Sequence, residues 1–211
     1  MFSFSFRKET NMANQYFENS ADLEHELKDF NFTLRNNNFT FTSDSGVFSR
    51  QTVDFGSRVL IEAIDFENIP AGNILDVGCG YGPIGLSLAK EQDQRNVDMT
   101  DVNLRAIDLA KKNAKSNKVN NINIFESNMY EKVTENYSLI VSNPPIRAGK
   151  NVVSGIISGA ASHLVANGEL WIVIQKKQGA PSAKKLMEAT YGNVDVVTKS
   201  KGYYILRSKL A

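Results

Sequence analysis

The sequence predicts an α/β protein: a doubly wound, mostly parallel sheet of seven strands, with a small β appendage at the N-terminus. Three observations support this fold class. Segments with strand and helix patterns alternate from residue 72 to about residue 190, which is typical of a parallel sheet with helices on both faces. The strand segments are short and apolar, as buried strands are. The 211 residues suffice for one full core and a small addition rather than for two cores.

The first fifty residues differ in pattern from the rest of the chain. Apolar residues alternate with polar ones on both sides of the asparagines at 36–38; they are Phe30, Phe32, Leu34, Phe39 and Phe41. Alternation on both sides of an Asn-rich break predicts a β-hairpin, and the small polar residues at 42–46 predict a loop. We therefore expect a leader at 1–11 and the hairpin within residues 1–50, followed by a main domain at 51–211.

The main domain alternates helices and strands in chain order. The predicted segments are an amphipathic helix near 53–64, a strand at 73–77, a helix at 83–90, a strand at 96–101, a helix at 103–117, strands at 122–126 and 137–142, a helix at 151–166, a strand at 169–175, a helix at 182–190, and strands near 193–199 and 202–208. Pro83 suits the first turn of a helix, where a missing N–H costs little. Asn103 predicts a helix N-cap and Gly168 predicts a helix end.

The composition excludes several classes of protein. Lys and Arg total 24 and Asp and Glu total 23, a net charge of +1, so the chain is not a general binder of polyanions. No segment approaches the ~20 consecutive apolar residues of a membrane span. Cys79 is the only cysteine, which suits a reducing cytoplasm, and the N-terminus resembles no secretory signal. No Cys/His cluster predicts a metal site. We expect a cytoplasmic protein without a membrane or metal partner.

Polar and glycine residues gather directly after the predicted strands. Ligands of such folds bind at the carboxyl ends of the strands. The first strand runs into a glycine-rich loop, the second ends at Asp101, the fourth is followed by Asn143–Pro145, and the fifth runs into Gln175–Lys177. These segments therefore make up the candidate site.

The glycine-rich loop indicates a particular cofactor. Gly80–Gly85 matches the pattern G-x-G-x-x-G, which lets the backbone approach a ligand closely. Pro83 removes an amide that a diphosphate would need, and Asp76 adds a carboxylate that suits a cationic ligand. A ligand with an ammonium and a sulfonium but no phosphate is S-adenosylmethionine. Asp101, about 20 residues after Gly82, would then accept hydrogen bonds from the ribose hydroxyls.

Longer motifs resemble a known family. Leu75–Gly82 resembles motif I of class I S-adenosylmethionine-dependent methyltransferases, and Asn143–Pro145 resembles the N-P-P motif of those that methylate amines. Over roughly residues 30–210 the chain is similar to the short, single-domain branch of the bacterial 16S ribosomal RNA guanine-N2 methyltransferases. The segments that carry this similarity are Gly46–Ser49, Asp54–Ser57, Asn143–Lys150 and Gln175–Ser182. The resemblance implies a Rossmann-like class I methyltransferase fold, S-adenosylmethionine as cofactor, and ribosomal RNA or the small ribosomal subunit as partner.

The resemblance also implies roles for residues at the strand ends. The residues that would hold the methionine end of the cofactor are Asp76, Gly78, Cys79, Gly80 and Gly82. Asp101 would bind the ribose, Val102 would pack on the adenine, and Asn128 would lie near the adenine amino group. Two positions depart from the family pattern: Ile146 follows the N-P-P motif where an aromatic residue is usual, and Arg147 follows where longer members usually have histidine.

The N-P-P motif suits the transfer of a methyl group to a planar amine. The lone pair of a guanine amine is delocalised, whereas a sulfonium is already activated, so positioning matters more than a strong base. The Asn143 side-chain oxygen and the Pro144 carbonyl can each accept an N–H of the amine, and Pro144 and Pro145 stiffen the loop. Asn143 would also border the cofactor. Neither His25 nor His163 follows a predicted strand, so no histidine base is expected.

RNA recognition requires a basic rim, because such enzymes act on flipped or unstacked bases and hold the flanking phosphates. The residues predicted to face the RNA are Phe48, Arg50, Ile146, Arg147, Lys150, Lys176 and Lys177. Three alternatives to guanine-N2 methylation stay open: methylation of protein glutamine or adenine N6, a non-catalytic RNA-binding assembly factor on the same fold, and an NAD-dependent oxidoreductase. Pro83 disfavours the oxidoreductase, and the intact Asp76, Asp101 and Asn143 disfavour the non-catalytic factor.

Overall fold

The computed structural model describes residues 26–47, 49 and 51–211, apart from the side chain of Arg147. The strands are β1 (Lys28–Leu34), β2 (Asn37–Ser43), β3 (Ile74–Val77), β4 (Val97–Asp101), β5 (Ile122–Glu126), β6 (Tyr137–Ser142), β7 (Leu164–Gln175), β8 (Asp195–Ser200) and β9 (Tyr203–Lys209). The helices are α1 (Phe55–Ala63), α2 (Pro83–Glu91), α3 (Leu104–Ser116), α4 (Lys150–Ala160) and α5 (Ala180–Tyr191), with short 3-10 helices at Ile146–Ala148 and Lys176–Gln178. Within this described part, no helix is both long and apolar enough to cross a membrane. The predicted leader at 1–11 lies outside the described residues.

Seven strands form the central sheet in the order β5-β4-β3-β6-β7-β9-β8. The first five strands of that order are parallel, and β9 runs antiparallel to both of its neighbours. The buried side chains form two clusters. One lies between the sheet and the hairpin, α1, α2 and α3, and the other lies between the sheet and α4 and α5. The predicted doubly wound, mostly parallel α/β fold is therefore confirmed.

The N-terminal β-hairpin is confirmed, but its turn lies one residue earlier than the asparagine break suggests. Arg35 and Asn36 form the turn with φ of 46° and 60°, as a two-residue hairpin turn with positive φ at both positions requires. Asn37 and Asn38 belong to β2, where they pair with Leu34 and Thr33. The loop predicted from residue 42 is also wrong for its first two residues, since β2 continues to Ser43.

The hairpin packs into the main core through the apolar residues of its inner face. Leu34, Phe39 and Phe41 are buried in the same cluster as Leu60 of α1 and Ile107 of α3. This burial explains the alternation in the sequence, because only one face of the hairpin is covered. The division of the chain at residue 50 stays a prediction.

The predicted helix at 151–166 is too long, because α4 ends at Ala160 and β7 already begins at Leu164. Gly168 therefore lies inside a strand and does not end a helix. A Cβ atom at Gly168 would lie 2.9 Å from the Val165 oxygen and 3.0 Å from the Tyr137 oxygen. A side chain there would crowd these two backbone oxygens, at the stretch where the register between β6 and β7 shifts. The strand predicted at 169–175 therefore begins five residues too late, and the bounds of the other predicted elements of the main domain agree with the observed ones to within two residues.

Candidate functional site

The loop between β3 and α2 forms an open cradle at the carboxyl edge of the sheet. Gly78 and Gly80 have φ of +76° and +58°, and a Cβ atom added to either would meet no atom within 4 Å. The loop is tied to the neighbouring strand, since the amides of Gly78 and Cys79 donate to the Thr100 oxygen at 2.8 and 2.9 Å. The positive φ values explain the glycines, and the open space in front of them can take a ligand close to the backbone.

Asp76 lies within β3, between the sheet and the first turn of α2, and is completely buried. Its Oδ2 accepts a hydrogen bond from the Gly85 amide at 2.8 Å, while Oδ1 has no partner among the described residues. Burial raises the pKa of the Asp76 carboxyl to about 7, against the lowering effect of the Gly85 amide and with a further increase from Asp101. A buried acid with one unpaired oxygen can accept a hydrogen bond from a donor bound at the loop.

Asp101 ends β4 and closes the cradle from the side. Its Oδ2 accepts from the Gly80 amide at 2.8 Å and its Oδ1 accepts from the Asn103 amide at 2.9 Å. Burial raises the pKa of Asp101, and its backbone hydrogen bonds act in the opposite direction. Val102 is half-buried beside it, whereas Asn128 is exposed and donates to Glu131 at 2.8 Å. Gly80, Asp101, Val102 and Asn103 thus lie together at one side of the cradle. The Asn128 side-chain amide instead bonds to Glu131 in its own loop.

Asn143 directly follows β6, beside the end of β3. The Ser142 hydroxyl donates to the Val77 oxygen at 2.7 Å and so joins the ends of these two strands. The Asn143 side-chain nitrogen donates to Asp54 Oδ2 at 3.0 Å and to Ser57 Oγ at 2.9 Å. Among the described residues, none donates a hydrogen bond to the Asn143 side-chain oxygen. The structure thus leaves an acceptor free at the position where the sequence predicts one.

Asp54 and Ser57 are site residues to which the sequence assigned no role. Asp54 is the N-cap of α1, where its Oδ2 accepts from the Ser57 amide at 3.1 Å. Their spacing is that of an N-cap and the third helical residue, so the sequence could have predicted this local pair. Their contact with Asn143 joins positions 89 and 86 residues apart, and no local pattern predicts that.

The predicted RNA-facing residues fall into three groups. Lys150, Lys176 and Lys177 are exposed at the start of α4 and after β7, while Ile146 is half-buried against the core under α4. Phe48 and Arg50, and the side chain of Arg147, lie outside the described part of the chain. Their predicted contacts stay predictions.

The turn between β8 and β9 lies beside Lys176 and Lys177, and together they form a basic edge of the sheet. The sequence did not predict that this turn belongs to it. The Lys176 amide donates to the Gly202 oxygen at 2.8 Å, so the exposed Lys201 lies next to the 3-10 helix. The Lys201 ammonium lies 4.9 Å from the centre of the Phe55 ring, and the Phe55 and Tyr203 rings are 5.6 Å apart. Cations and aromatic rings thus adjoin the start of α1, one residue from Asp54.

Cys79 packs inside the glycine loop. It is buried, and burial raises the pKa of its thiol well above the usual value, with Asp101 and Asp76 adding to the increase. A thiol with a raised pKa is a poor nucleophile at neutral pH. Elsewhere in the described residues, no group of three or more His, Cys, Asp or Glu side chains could hold a metal ion.

Comparison with family models identifies the family of this chain. Residues 38–207 match the family model described as "Methyltransferase small domain". The chain belongs to the methyltransferase small domain family. The glycine cradle and the Asn143 loop both lie within the matched residues.

Two curated relatives match over most of this chain. This methyltransferase domain is 50% identical over 200 residues to "Uncharacterized protein YbxB" of Bacillus subtilis (strain 168), which covers 94% of this chain and 99% of that protein. It is 30% identical over 187 residues to "Ribosomal RNA small subunit methyltransferase C" of Psychromonas ingrahamii, covering 85% of this chain and 51% of that protein. The chain thus spans about half the length of the ribosomal RNA methyltransferases that it matches.

A solved structure has the same fold. The 16S rRNA N2 G1207 methyltransferase of Thermus thermophilus, in complex with AdoMet and guanosine, superposes with a TM-score of 0.80. The superposition covers 92% of this chain and 53% of that chain at 23% sequence identity. It confirms the Rossmann-like methyltransferase fold of the seven-stranded sheet.

Proposed function

We propose that this chain is an S-adenosylmethionine-dependent N-methyltransferase that methylates the exocyclic N2 amine of a guanine in small-subunit ribosomal RNA. One observation carries the proposal: the Asn143 side-chain oxygen, to which no residue in the described part of the chain donates, lies at the same edge of the sheet as an open glycine cradle. The names of the relatives support the ribosomal RNA substrate. The expected cytoplasmic location stays a prediction.

The residues present fit S-adenosylmethionine. Space in front of Gly78 and Gly80 admits a ligand, and the unpaired Oδ1 of Asp76 offers a buried acceptor. The Asp101 carboxylate offers acceptors for ribose hydroxyls, and Pro83 begins α2 without the amide that a diphosphate would use. The loop from Gly78 to Gly82 would therefore hold the methionine end and Asp101 the ribose. When bound, the cofactor supplies an electrophilic methyl group.

The chain's own contribution to the reaction is to hold the amine in line. The Asn143 oxygen and the Pro144 carbonyl each accept one N–H, which directs the nitrogen lone pair toward the cradle. After transfer the amine is cationic and acidic, so its proton can leave to water without a dedicated base. His163 does not serve as one, because it directly precedes β7, at the edge of the sheet opposite to Asn143; His25 lies outside the described residues.

The basic edge supports RNA as the substrate class. Lysines 176, 177, 199 and 201 are exposed around the end of β7 and the β8–β9 turn, and within the described part of the chain none of them pairs with a carboxylate. Unpaired ammonium groups bind phosphates, and the Phe55–Tyr203 pair adds aromatic surface suited to an unstacked base. Phe48, Arg50, Arg147 and Lys150 remain predicted RNA contacts.

The test is methyl transfer from labelled S-adenosylmethionine to 30S particles, to free 16S ribosomal RNA and to total protein, followed by nucleoside analysis. We expect label in N2-methylguanosine. Label in N6-methyladenosine or in protein would instead support the alternative amine substrates, and cofactor binding without any transfer would support the assembly factor.

Asn143→Ala should reduce turnover by about 10²-fold or more, the cost of removing one precisely placed polar group from a transition state. The dissociation constant of adenosylhomocysteine should change less than about twofold, because the glycine cradle is intact. Asn123→Ala, an exposed asparagine on β5, is the matched control and should behave as wild type. Equal loss of turnover and of cofactor affinity would contradict the role of Asn143.

A further inference from the structure

The geometry points to Asp54 and Ser57 as positioning residues that fix the orientation of the Asn143 amide. This inference rests on the proposed function. Both donor hydrogens of the Asn143 amide nitrogen are engaged, one by Asp54 Oδ2 at 3.0 Å and one by Ser57 Oγ at 2.9 Å. The two acceptors are the N-cap and the third residue of α1, so the segment before the glycine loop positions the loop after β6.

The chemistry of the three groups allows one orientation only. An ionised carboxylate accepts hydrogen bonds and cannot donate them, so the Asn143 nitrogen and not its oxygen must face Asp54. The amide oxygen then points the other way, where a target amine needs an acceptor. An asparagine without these partners could rotate by half a turn and present its own N–H groups to the amine, which would repel it.

Asp54 and Ser57 are themselves held in place. Asp54 caps α1, its Oδ2 accepts from the Ser57 amide at 3.1 Å, and Ser57 is only 4% exposed. Gly56 lies between them, and a Cβ atom there would lie 3.0 Å from Asp54 Oδ2 and 2.8 Å from a Tyr203 ring carbon. Close packing on both sides of Gly56 therefore restricts the carboxylate. A rigid support of this kind is what a group needs when it acts only by position.

The negative charge adds a second effect. A charge-assisted hydrogen bond from the Asn143 nitrogen polarises the amide and makes its oxygen a stronger acceptor. Asp54 thus favours both the direction and the strength of the bond that Asn143 offers to the amine. Ser57, which is neutral, contributes direction alone.

The experiment compares variants that separate this role from helix capping. Asp54→Ser keeps an N-cap oxygen for α1 but is too short to reach Asn143. Asp54→Asn keeps one oxygen that can accept from both Ser57 and Asn143. Asp65→Ala, an exposed acid just past the end of α1, is the control. We expect kcat to fall about 10-fold or more in Asp54→Ser, to fall less in Asp54→Asn and Ser57→Ala, and to stay unchanged in the control, with adenosylhomocysteine affinity within about twofold in every variant.

A second readout does not depend on activity. In ¹⁵N spectra of the ligand-free protein, the Asn143 side-chain amide pair is the one that disappears in Asn143→Ala. Because both of its hydrogens are bonded, this pair should exchange slowly with solvent in wild type and in Asp54→Asn. In Asp54→Ser it should shift and exchange at least about 10-fold faster, while the thermal midpoint stays close to that of wild type.

The outcomes distinguish the two proposals. If Asn143→Ala lacks activity while Asp54→Ser keeps wild-type kcat and slow amide exchange, the positioning role is wrong and the proposed function stands. If wild type transfers no methyl group to RNA, the proposed function fails, and slow exchange that depends on Asp54 would show that the amide is still oriented. Rapid exchange in wild type would overturn the inference whatever the activity.

Discussion

The buried carboxyl of Asp76, in β3 just before the glycine loop, makes the stability of the fold depend on pH. Its pKa is raised to about 7 by burial, whereas an aspartate in the unfolded chain titrates near its ordinary value of about 3.9. Between these two values the folded protein holds a proton that the unfolded chain has released. The free energy of unfolding therefore receives its full contribution from this group below about pH 4 and loses it as the pH rises through about 7.

We predict that this loss of stability depends on Asp76. Urea unfolding of wild type at steps between pH 5 and pH 8 should show the free energy of unfolding falling by up to about 1.4 kcal/mol per pH unit below pH 7 because of this one group. Asp76→Asn, which cannot ionise, should remove that slope and be relatively more stable at pH 8. Asp93→Asn, at an exposed position, should keep the wild-type slope. The same pH dependence in wild type and Asp76→Asn would contradict the assignment.

At the scale of elements, an asparagine in α3 and the asparagine that caps its C-terminus take the place of a further strand beside the hairpin. Asn113 and Asn117, four residues apart on one face, each accept from and donate to the backbone of β2. Asn113 bonds both backbone groups of Thr42 at 2.7 and 3.0 Å and also donates to the Tyr81 oxygen at 2.9 Å. Asn117 bonds both groups of Thr40 at 2.9 Å. The helix thereby satisfies an edge strand and ties it to the glycine loop.

Removing these side chains should have unequal effects. Asn113→Ala would leave buried backbone groups of Thr42 and Tyr81 unpaired, so we expect a loss of about 2–4 kcal/mol in the free energy of unfolding, at about 1–3 kcal/mol for each orphaned group before partial relaxation. Asn117→Ala should cost less than about 1 kcal/mol, because water can reach the groups of Thr40. Urea unfolding of the two variants is a matched comparison on one helix face. Equal losses would show that burial does not decide the cost.

Local pattern predicted most elements because their causes are local. Pro83 and Asn103 begin α2 and α3 as expected, and the apolar runs of β3 and β6 lie in the core. The end of α4 was not predictable in this way, since residues 164–168 become a strand by pairing with Tyr137 and Leu210, which are distant in sequence. The site divides likewise: the glycine loop and the N-P-P motif are contiguous, whereas the contact between Asp54 and Asn143 exists only after folding.

At the scale of the whole molecule, a net charge of +1 gives almost no long-range attraction for RNA, so any affinity must come from how the charges are placed. The exposed lysines at the end of β7 and in the β8–β9 turn lie at the same edge as Asn143. The exposed Lys111 and Lys112 belong to α3, which packs at the β4–β5 end of the sheet. Four strand spacings separate β4 from β9 in the sheet order, which is roughly 19 Å.

This asymmetry predicts a position-dependent salt effect. Lys176→Ala combined with Lys201→Ala should weaken binding of a 16S ribosomal RNA fragment and reduce the slope of log Kd against log salt by about 2, one for each lost phosphate contact. Lys111→Ala combined with Lys112→Ala changes the net charge equally but should leave that slope within about 0.5 of wild type, because α3 packs at the opposite end of the sheet from β7 and β9. Fluorescence anisotropy between 50 and 200 mM salt measures both slopes. If the two double variants lose the same slope, RNA binds by overall charge, and the edge beside Asn143 has no special part in recognition.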